Sequence, residues 1–276
     1  MSSAETNAVT IAVQAAEPKR RAGVAWKPLL ERVAAWIVPV IAIIAWEILS
    51  RTGIFPPNWL PSPRVVVQTV VDEATRGALF EHIGITLLRI LIGFALGAAL
   101  GTITGATTGY FRWGFKLLDP TLQALRSIPS MAWVPLFLLW MGIQESSKIS
   151  LIALGAFFPV YLNTSAAMRG VDPKLIEVGQ LYRLSPFQMI RRIILPASLP
   201  QYFIGLRGGL GLAWMFVVAA EIMGASKGLG YLMVDGQMTG RASIIVASVI
   251  LFAIFGKLTD VIVDRTGRYL LRHRSA

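Results

Sequence analysis

The stretch "ITLLRILIGFALGAALGTITGATT", residues 85–108, decides the fold class of this chain. It carries a single charge and is longer than the roughly 20 residues that a helix needs to cross the hydrocarbon core of a bilayer. Glycine recurs at every fourth position within it, at Gly93, Gly97, Gly101 and Gly105. This spacing places the glycines along one helix face, where small residues let a second helix approach closely within a membrane. The stretch therefore predicts a membrane-spanning helix that packs tightly against a neighbour.

Further apolar runs predict that the chain is an all-α integral membrane protein with about six spans. Hydrophobic residues make up 55% of the 276 residues and charged residues only 15%, against about 25% charged residues in soluble domains. The predicted spans are residues 33–49, 85–108, 128–142, 149–168, 199–223 and 242–263. The third is short and contains Pro129 and Pro135, so we expect it inside the bundle or beside an aqueous path.

The basic residues predict the orientation of the spans. Lys and Arg are about three times as frequent on the side of the two termini as on the opposite side, which makes both termini cytoplasmic. The net charge of +11 then reflects membrane orientation, and we expect no nucleic-acid partner. We expect a disordered basic tail over residues 1–32, a transmembrane domain over residues 33–265 and a basic tail over residues 266–276.

Several classes of chemistry are excluded by composition. Cysteine is absent and His82 and His273 are the only histidines, so thiolate metal sites, disulfides and cysteine nucleophiles are ruled out. The glycine-rich "GASKGLG" at Gly224–Gly230 does not match the phosphate-binding pattern G-x-x-x-x-G-K-[ST]. We therefore expect neither enzymatic activity nor a cofactor in this chain.

The longest predicted cytoplasmic link is "RGVDPKLIEVGQLYRLSPFQMIRRIIL", residues 169–195. Asp172 before Pro173 is a typical helix start and predicts a short helix over residues 173–182. Ser185, Pro186 and Gln188 form a capping box that predicts a second helix.

We expect the second helix to run toward residue 195, where Pro196 and Pro200 interrupt or bend it. Two capped helices joined at residues 183–184 form a compact, rigid unit that is suited to docking a partner. Residues 170–195 are here called the coupling segment.

The coupling segment resembles the "EAA" loop in permease subunits of bacterial ATP-binding-cassette (ABC) importers. The family pattern is E-A-A, three residues, G, nine residues and I-x-L-P. Glu177 holds the acidic position, and Ile193, Leu195 and Pro196 stand at the required spacing.

The segment departs from the family pattern at three positions. Val178 and Gly179 replace the alanines, and Arg183 replaces the glycine. That glycine would close the first helix in a left-handed conformation, which costs another residue on the order of 1 kcal/mol. Two interpretations of Arg183 stay open: a different helix break, or a direct role in docking.

Other motifs are similar to the branch that imports aliphatic sulfonates, taurine, nitrate or bicarbonate, with aliphatic-sulfonate permeases nearest. They are "LPSP" at 60–63, "LLRILIGFALGAALG" at 87–101, "LWMGIQESSKI" at 139–149 and "AEIMGASKGLGYL" at 220–232. The resemblance implies a MetI-like permease fold in the lipid of the bacterial cytoplasmic (inner) membrane. It also implies two copies of the chain, two ATPase subunits that bind ATP and Mg, and a periplasmic or lipid-anchored binding protein.

By the same resemblance, one set of residues couples the chain to the ATPase. The set is Asp172, Pro173, Glu177, Val178, Gly179, Leu181, Arg183, Leu184, Ser185, Ile193, Leu195 and Pro196. Glu177, Leu181 and Leu184 are spaced to share one helix face, and we expect this face to enter a cleft on the ATPase.

Charged residues within spans are the candidates for a translocation pathway. They are Arg89, Arg207 and Glu221. Arg207 lies in the glycine-rich "FIGLRGGLGLAW", and its planar guanidinium matches an oxyanion; snorkelling or an ion pair within the bundle is the alternative. Trp214 and Met215 are candidates for lining the path, with aromatic packing as the alternative for Trp214. We expect Glu221 to pair with the neighbouring loop and to order the outer gate.

Two other function classes are alternatives to the importer. An intramembrane enzyme needs a nucleophile with a base, or a metal cage, and the spans contain neither. An ATP-independent secondary transporter or channel is the second alternative. It often shows an inverted internal repeat, which these six spans do not.

Overall fold

The computed structural model describes the backbone of residues 27–56 and 58–272, and the side chains from Trp36 onward. This described part of the chain is helical and contains no strand. Its α-helices are α1 Lys27–Arg51, α2 Pro63–Thr75, α3 Ala78–Tyr110, α4 Arg112–Arg126, α5 Trp133–Met141, α6 Glu145–Arg169, α7 Pro173–Leu181, α8 Pro186–Gly224, α9 Leu229–Met238 and α10 Ala242–Arg272.

The terminal helices extend beyond the predicted spans. Helix α1 begins at Lys27, inside the predicted tail 1–32, and it contains the predicted span 33–49. Residues 1–26 lie outside the described residues. Helix α10 continues to Arg272 through most of the predicted tail 266–276, because the sequence offers no proline to end it there. Helix α1 belongs to a compact unit that ends at Phe55, and helices α2 to α10 belong to a second unit.

The glycine face of α3 packs against α6, which confirms the predicted close approach. A methyl group added at Gly93 would lie 2.7 Å from the Cβ of Ile152, and one added at Gly101 would lie 3.0 Å from the Cβ of Val160. These distances are below van der Waals contact, so glycine is what allows the two helices to come this close.

The hydrophobic core of the second unit lies where α3, α6 and α8 meet. Its buried members are Ile90, Ile152, Ala156, Leu210, Ala213, Trp214 and Val217. A second cluster joins the start of α3 to α9 and α10 through Leu79, Leu229, Leu232 and Ile244. The core therefore holds the long helices together at mid-length, and α9 closes one end.

Among the described residues, four helices are long and apolar enough to cross a membrane: α3, α6, α8 and α10. A fifth span results if α4 and residues 130–141 count as one broken element, whose two parts are bent by 87°. The predicted short, proline-broken span 128–142 is a nine-residue helix, α5, behind a short 3₁₀ turn at Ser130–Ala132. Pro129 causes the break, because a proline disfavours a helical conformation for the residue before it.

Helix α8 is continuous through Pro196 and Pro200, which were predicted to interrupt or bend it. It runs for 39 residues from the coupling segment into the predicted fifth span. A π-helical turn at Ile190–Ile194 stands directly before Pro196, where the Leu195 N–H donates to the Ile190 carbonyl. This wider turn relieves the clash that a proline ring makes with the preceding turn of an α-helix.

Candidate functional site: the coupling segment and the charged clusters of the spans

The coupling segment begins with helix α7, whose start follows the predicted capping. The Asp172 carboxylate accepts a hydrogen bond from the Lys174 N–H at 2.9 Å, and Pro173 occupies the first turn. Glu177 and Val178 are exposed on this helix. The helix ends at Leu181, one residue before the predicted end.

Arg183 keeps the left-handed conformation of the glycine that it replaces. Its φ is 50°, the one positive φ of a non-glycine residue in the described part of the chain. The Leu184 N–H donates to the Gly179 carbonyl at 3.0 Å, and the Arg183 N–H donates to the Gln180 carbonyl at 2.9 Å. These two bonds form a Schellman motif, which satisfies the last carbonyls of α7. Of the two interpretations of Arg183, a different helix break is therefore not what the structure shows.

The second helix of the coupling segment starts with the predicted capping box. The Ser185 N–H donates to the Gln188 side chain at 3.1 Å, and the Gln188 N–H donates to the Ser185 hydroxyl at 3.4 Å. Gly179 of α7 lies against Met189 and Ile193 of α8 so closely that a methyl group there would meet both side chains. The capping bonds and this packing hold the two helices as one unit.

An apolar surface of the coupling segment is left uncovered. Leu181, Tyr182 and Phe187 are 82%, 78% and 71% exposed, which is far above the usual exposure of large apolar residues in a core. Glu177 is exposed on the same helix as Leu181. Leu184 does not join them, although the spacing predicted a shared face. It follows the left-handed residue, outside the helix, and lines a cavity of about 910 Å³ beside the segment.

The last predicted coupling residues lie around the π-helical turn. Ile193 is half-buried against the coupling unit, while Leu195 is 50% exposed and Pro196 is half-buried. The structure thus brings the predicted coupling residues into one compact region.

At the opposite end of the bundle, the buried Arg89 forms a charged cluster with the exposed Glu145 and the buried Glu221. The Arg89 guanidinium donates two hydrogen bonds to Glu145, both 2.6 Å long, and a third to Glu221 at 2.7 Å. The side chain of Arg89 is 4% exposed and that of Glu221 is fully buried. Charges so deeply buried require this kind of pairing.

The charged cluster also fixes the loop between α8 and α9. Glu221 accepts a hydrogen bond from the Gly230 N–H at 2.8 Å, and Arg89 donates to the Lys227 carbonyl at 2.7 Å. Thr86 links the two elements, because its hydroxyl donates to Glu221 and accepts from the Leu229 N–H. The expected pairing of Glu221 with its neighbouring loop is therefore present.

Arg207 is engaged with two carboxylates of α10. Its Nε and a terminal nitrogen donate to Asp260 at 2.8 and 3.0 Å, and its other terminal nitrogen donates to Asp264 at 2.9 Å. Of the three sequence-based interpretations (an oxyanion contact, snorkelling and an ion pair), the structure shows the ion pair within the bundle.

Trp214 and Met215 face different surroundings. Trp214 is buried, packs edge-on against Phe252 and donates its indole N–H to Thr259 at 2.9 Å. Met215 is 45% exposed. Trp214 thus belongs to the core, in agreement with the packing alternative.

Glu145 and Lys148 were missed by the sequence reasoning. They belong to "QESSK", which suggested only a polar turn, but the side chain of Lys148 is 4% exposed and donates to Glu145 at 3.0 Å. Arg89 was the signal that could have found them, because an arginine within a span needs a carboxylate from another helix. In the part of the chain that the structure describes, no group of three or more His, Asp or Glu side chains is arranged to hold a metal ion.

Comparisons with known proteins identify the family of the chain. Residues 74–273 match the family model described as "Binding-protein-dependent transport system inner membrane component". The chain is 42% identical over 240 residues to a Bacillus subtilis protein named as the aliphatic sulfonates transport permease SsuC, covering 87% of each chain. It is 41% identical over 250 residues to the Escherichia coli protein of the same name, covering 91% of this chain and 95% of that one.

Two further comparisons concern a more distant relative and the fold. The taurine transport system permease protein TauC of Escherichia coli is 29% identical over 243 residues, which cover 86% of this chain and 88% of TauC. A solved structure of the MetNI methionine ABC transporter, in an inward-facing conformation, aligns with a TM-score of 0.55 at 20% identity and covers 76% of this chain and 97% of that one. The fold is therefore MetI-like. By its family match and its relatives, this chain belongs to the inner membrane components of binding-protein-dependent transport systems, and it is a multi-pass, non-enzymatic permease subunit of an ABC importer.

Proposed function

We propose that two copies of this chain form the membrane pathway of an ATP-driven importer for aliphatic sulfonates or related small anions, such as taurine, nitrate or bicarbonate. The names of the two most similar relatives reported above support the sulfonate class. In the assembly, two ATPase subunits bind ATP and Mg on the cytoplasmic side, and a periplasmic or lipid-anchored binding protein delivers the anion. Both termini of the permease lie in the cytoplasm, and lipid surrounds its spans.

The exposed surface of the coupling segment is the observation that carries this proposal. Leu181, Tyr182 and Phe187 present apolar area to solvent on a unit that capping bonds and packing hold rigid. Exposed apolar area on a rigid support is typical of a protein interface. Glu177 adds a carboxylate that an ATPase cation can bind.

The coupling residues have two roles in this proposal. Glu177, Val178, Leu181 and Leu195 are exposed and contact the ATPase. The others shape the unit: Asp172, Pro173 and Ser185 start its helices, Gly179 and Ile193 pack them together, and Arg183 with Leu184 closes the first helix. Pro196 marks the transition into the span. An ATP-independent transporter or channel has no use for such a surface.

The test is reconstitution of the permease in lipid nanodiscs with its ATPase and the cognate binding protein. We expect an aliphatic sulfonate bound to that protein to raise the ATPase rate above the rate without anion. The permease alone is expected to hydrolyse no ATP. Stimulation by none of the four anion classes would contradict the proposed cargo, and failure of the permease to retain an ATPase would contradict the proposed coupling.

A further inference from the structure

A cavity lies at the break between α4 and α5. It has a volume of about 520 Å³, and its walls come from the break and from the facing parts of α6 and α8. Arg126, Ser127 and Ser130 supply polar groups from the break, and Asn163 supplies one from α6. Most of the remaining lining is apolar, as in many sites for small molecules.

The cavity lies near the middle of α6, one of the helices long and apolar enough to cross a membrane. The residues of α6 that line it extend from Leu154 to Asn163, in a helix that spans Glu145–Arg169, and those of α8 are Leu212 and Phe216. With a rise of about 1.5 Å per residue, the centre of this part of α6 lies within about 3 Å of the middle of the helix. Discontinuous helices at this depth are found where a transported solute passes, because their free backbone groups need polar surroundings.

In the described part of the chain, Arg126 lacks the carboxylate partners that Arg89 and Arg207 have. Arg89 and Arg207 each bind two carboxylates. Arg126 donates only to the neutral Gln123 side chain of its own helix, at 3.3 Å, and no carboxylate of the described residues lies within ion-pair distance of it. Its side chain is exposed. An arginine at this depth that faced lipid would be costly, so an aqueous path or an anionic ligand must complete its surroundings.

Helix α4 continues this polar surface toward the coupling segment. Its polar residues recur three or four positions apart and form one stripe: Arg112, Lys116, Asp119, Gln123 and Arg126. Arg112 and Lys116, at the far end of the stripe, line the 910 Å³ cavity beside the coupling segment. Asp119, the single acid of the stripe, accepts a hydrogen bond from the Tyr161 hydroxyl at 2.6 Å, which directs its carboxylate toward α6. The stripe thus connects the two cavities and carries three cations.

We propose that the cavity at the α4–α5 break is an anion site within the membrane, in which Arg126 binds the sulfonate or similar oxyanion group of the cargo, and that the α4 stripe leads the anion on toward the coupling end. The identity of the cargo rests on the proposed function, whereas the preference of the cavity for anions does not. The planar guanidinium suits two oxygens of a tetrahedral or trigonal oxyanion. The apolar walls receive the aliphatic part of the cargo.

The absence of cysteine from the chain allows a direct test. In the complete importer, Ser130→Cys places a single thiol in the cavity, and its reaction rates are measured with the anionic sulfonatoethyl and the cationic trimethylammonioethyl methanethiosulfonates during ATP turnover. We expect the anionic reagent to be preferred, and Arg126→Gln to lower the ratio of the two rates about tenfold. Arg76→Gln, which removes an exposed arginine at the end of α2, is the matched control and leaves the ratio unchanged.

A second cysteine position and a measurement of uptake provide independent tests of the same site. Ser127→Cys repeats the labelling if Ser130→Cys does not assemble. In vesicles, we expect Arg126→Gln to raise the KM for sulfonate uptake at least about tenfold while recovery of the complex is unchanged, with partial rescue by Arg126→Lys. Thiols that react with neither reagent, or a rate ratio that Arg126→Gln does not change, would overturn the anion site. An intact anion preference in an importer that does not carry sulfonates would contradict the proposed cargo and leave the site standing.

Discussion

Arg89 and Arg207 each bind two carboxylates across helices, but they do so in different surroundings. The side chain of Arg89 is 4% exposed and Glu221 beside it is fully buried, whereas the side chain of Arg207 is 43% exposed. Removing one partner of a buried ion pair strands the other charge in a medium of low polarity. Water and salt weaken the attraction between exposed charges, so separating such a pair costs little free energy. The two clusters have similar hydrogen-bond geometry, but burial makes the Arg89 cluster contribute more to the stability of the fold than the Arg207 cluster.

The largest expected effect is the loss of stability when the Arg89 cluster loses its buried carboxylate. Replacing the buried acid, Glu221→Ala, should lower the free energy of unfolding by about 3–5 kcal/mol, because Arg89 keeps its charge and loses a buried partner. Thermal unfolding of the purified permease in detergent measures this loss. Asp260→Ala is the matched control in the exposed cluster and should cost about 1 kcal/mol or less. Equal losses of unfolding free energy in the two variants would show that burial does not determine how much each cluster stabilises the fold.

An exposed charge can also gain importance from a partner outside the chain, as we propose for Glu177. Glu177→Lys should weaken ATPase binding by about 1.5–3 kcal/mol, because it removes a charge-assisted contact and places like charges together. Recovery of the ATPase with the permease, together with uptake, measures the effect. Gln180→Lys adds the same cation at another exposed position of α7 and serves as the control. Normal ATPase recovery and uptake in Glu177→Lys would refute the docking role.

The coupling end also contains a backbone strain that the Arg89 cluster lacks. Arg183→Gly should raise the free energy of unfolding by about 1 kcal/mol, because glycine adopts a positive φ without the steric cost that arginine incurs. Thermal unfolding detects this gain, and ATPase recovery tests the side chain separately. Lower ATPase recovery from a more stable variant would mean that Arg183 itself takes part in docking.

The smallest expected effect concerns Arg207. Arg207→Gln should change the free energy of unfolding by less than about 1 kcal/mol, and this difference should shrink further as salt is added. Unfolding at low and high ionic strength measures both quantities, with sulfonate uptake recorded alongside. A strong loss of uptake with unchanged stability would restore Arg207 as a contact for the anion.

Local features were predictable because their cause lies within a few residues. The glycine face of α3 and the caps at Asp172 and Ser185 depend on spacings of three or four positions, and the structure contains them. The left-handed conformation at Arg183 was not predicted, because the sequence analysis left open a different helix break or a direct role in docking. It persists because the capped helices on either side fix the path of the chain.

Features that depend on distant residues were not predictable from spacing. Glu145 and Glu221 meet at Arg89 from positions 56 and 132 residues away. The spacing of residues in the sequence does not predict such an ion pair, because it forms only when the long helices pack together. The same limit hid the cavity at Arg126, because its walls come from three separate parts of the chain.

Helix α8 joins the coupling segment to the Arg89 cluster as a single rod. Its capping residue Ser185 and its buried Glu221 stand 36 positions apart, or about 54 Å along an ideal helix axis. A tilt of only about 5° about one end of such a rod displaces the other end by about 5 Å. The hydrogen bonds of Glu221 are 2.7–3.0 Å long, so a tilt of this size about the coupling end of α8 would move Glu221 farther than these bonds can stretch.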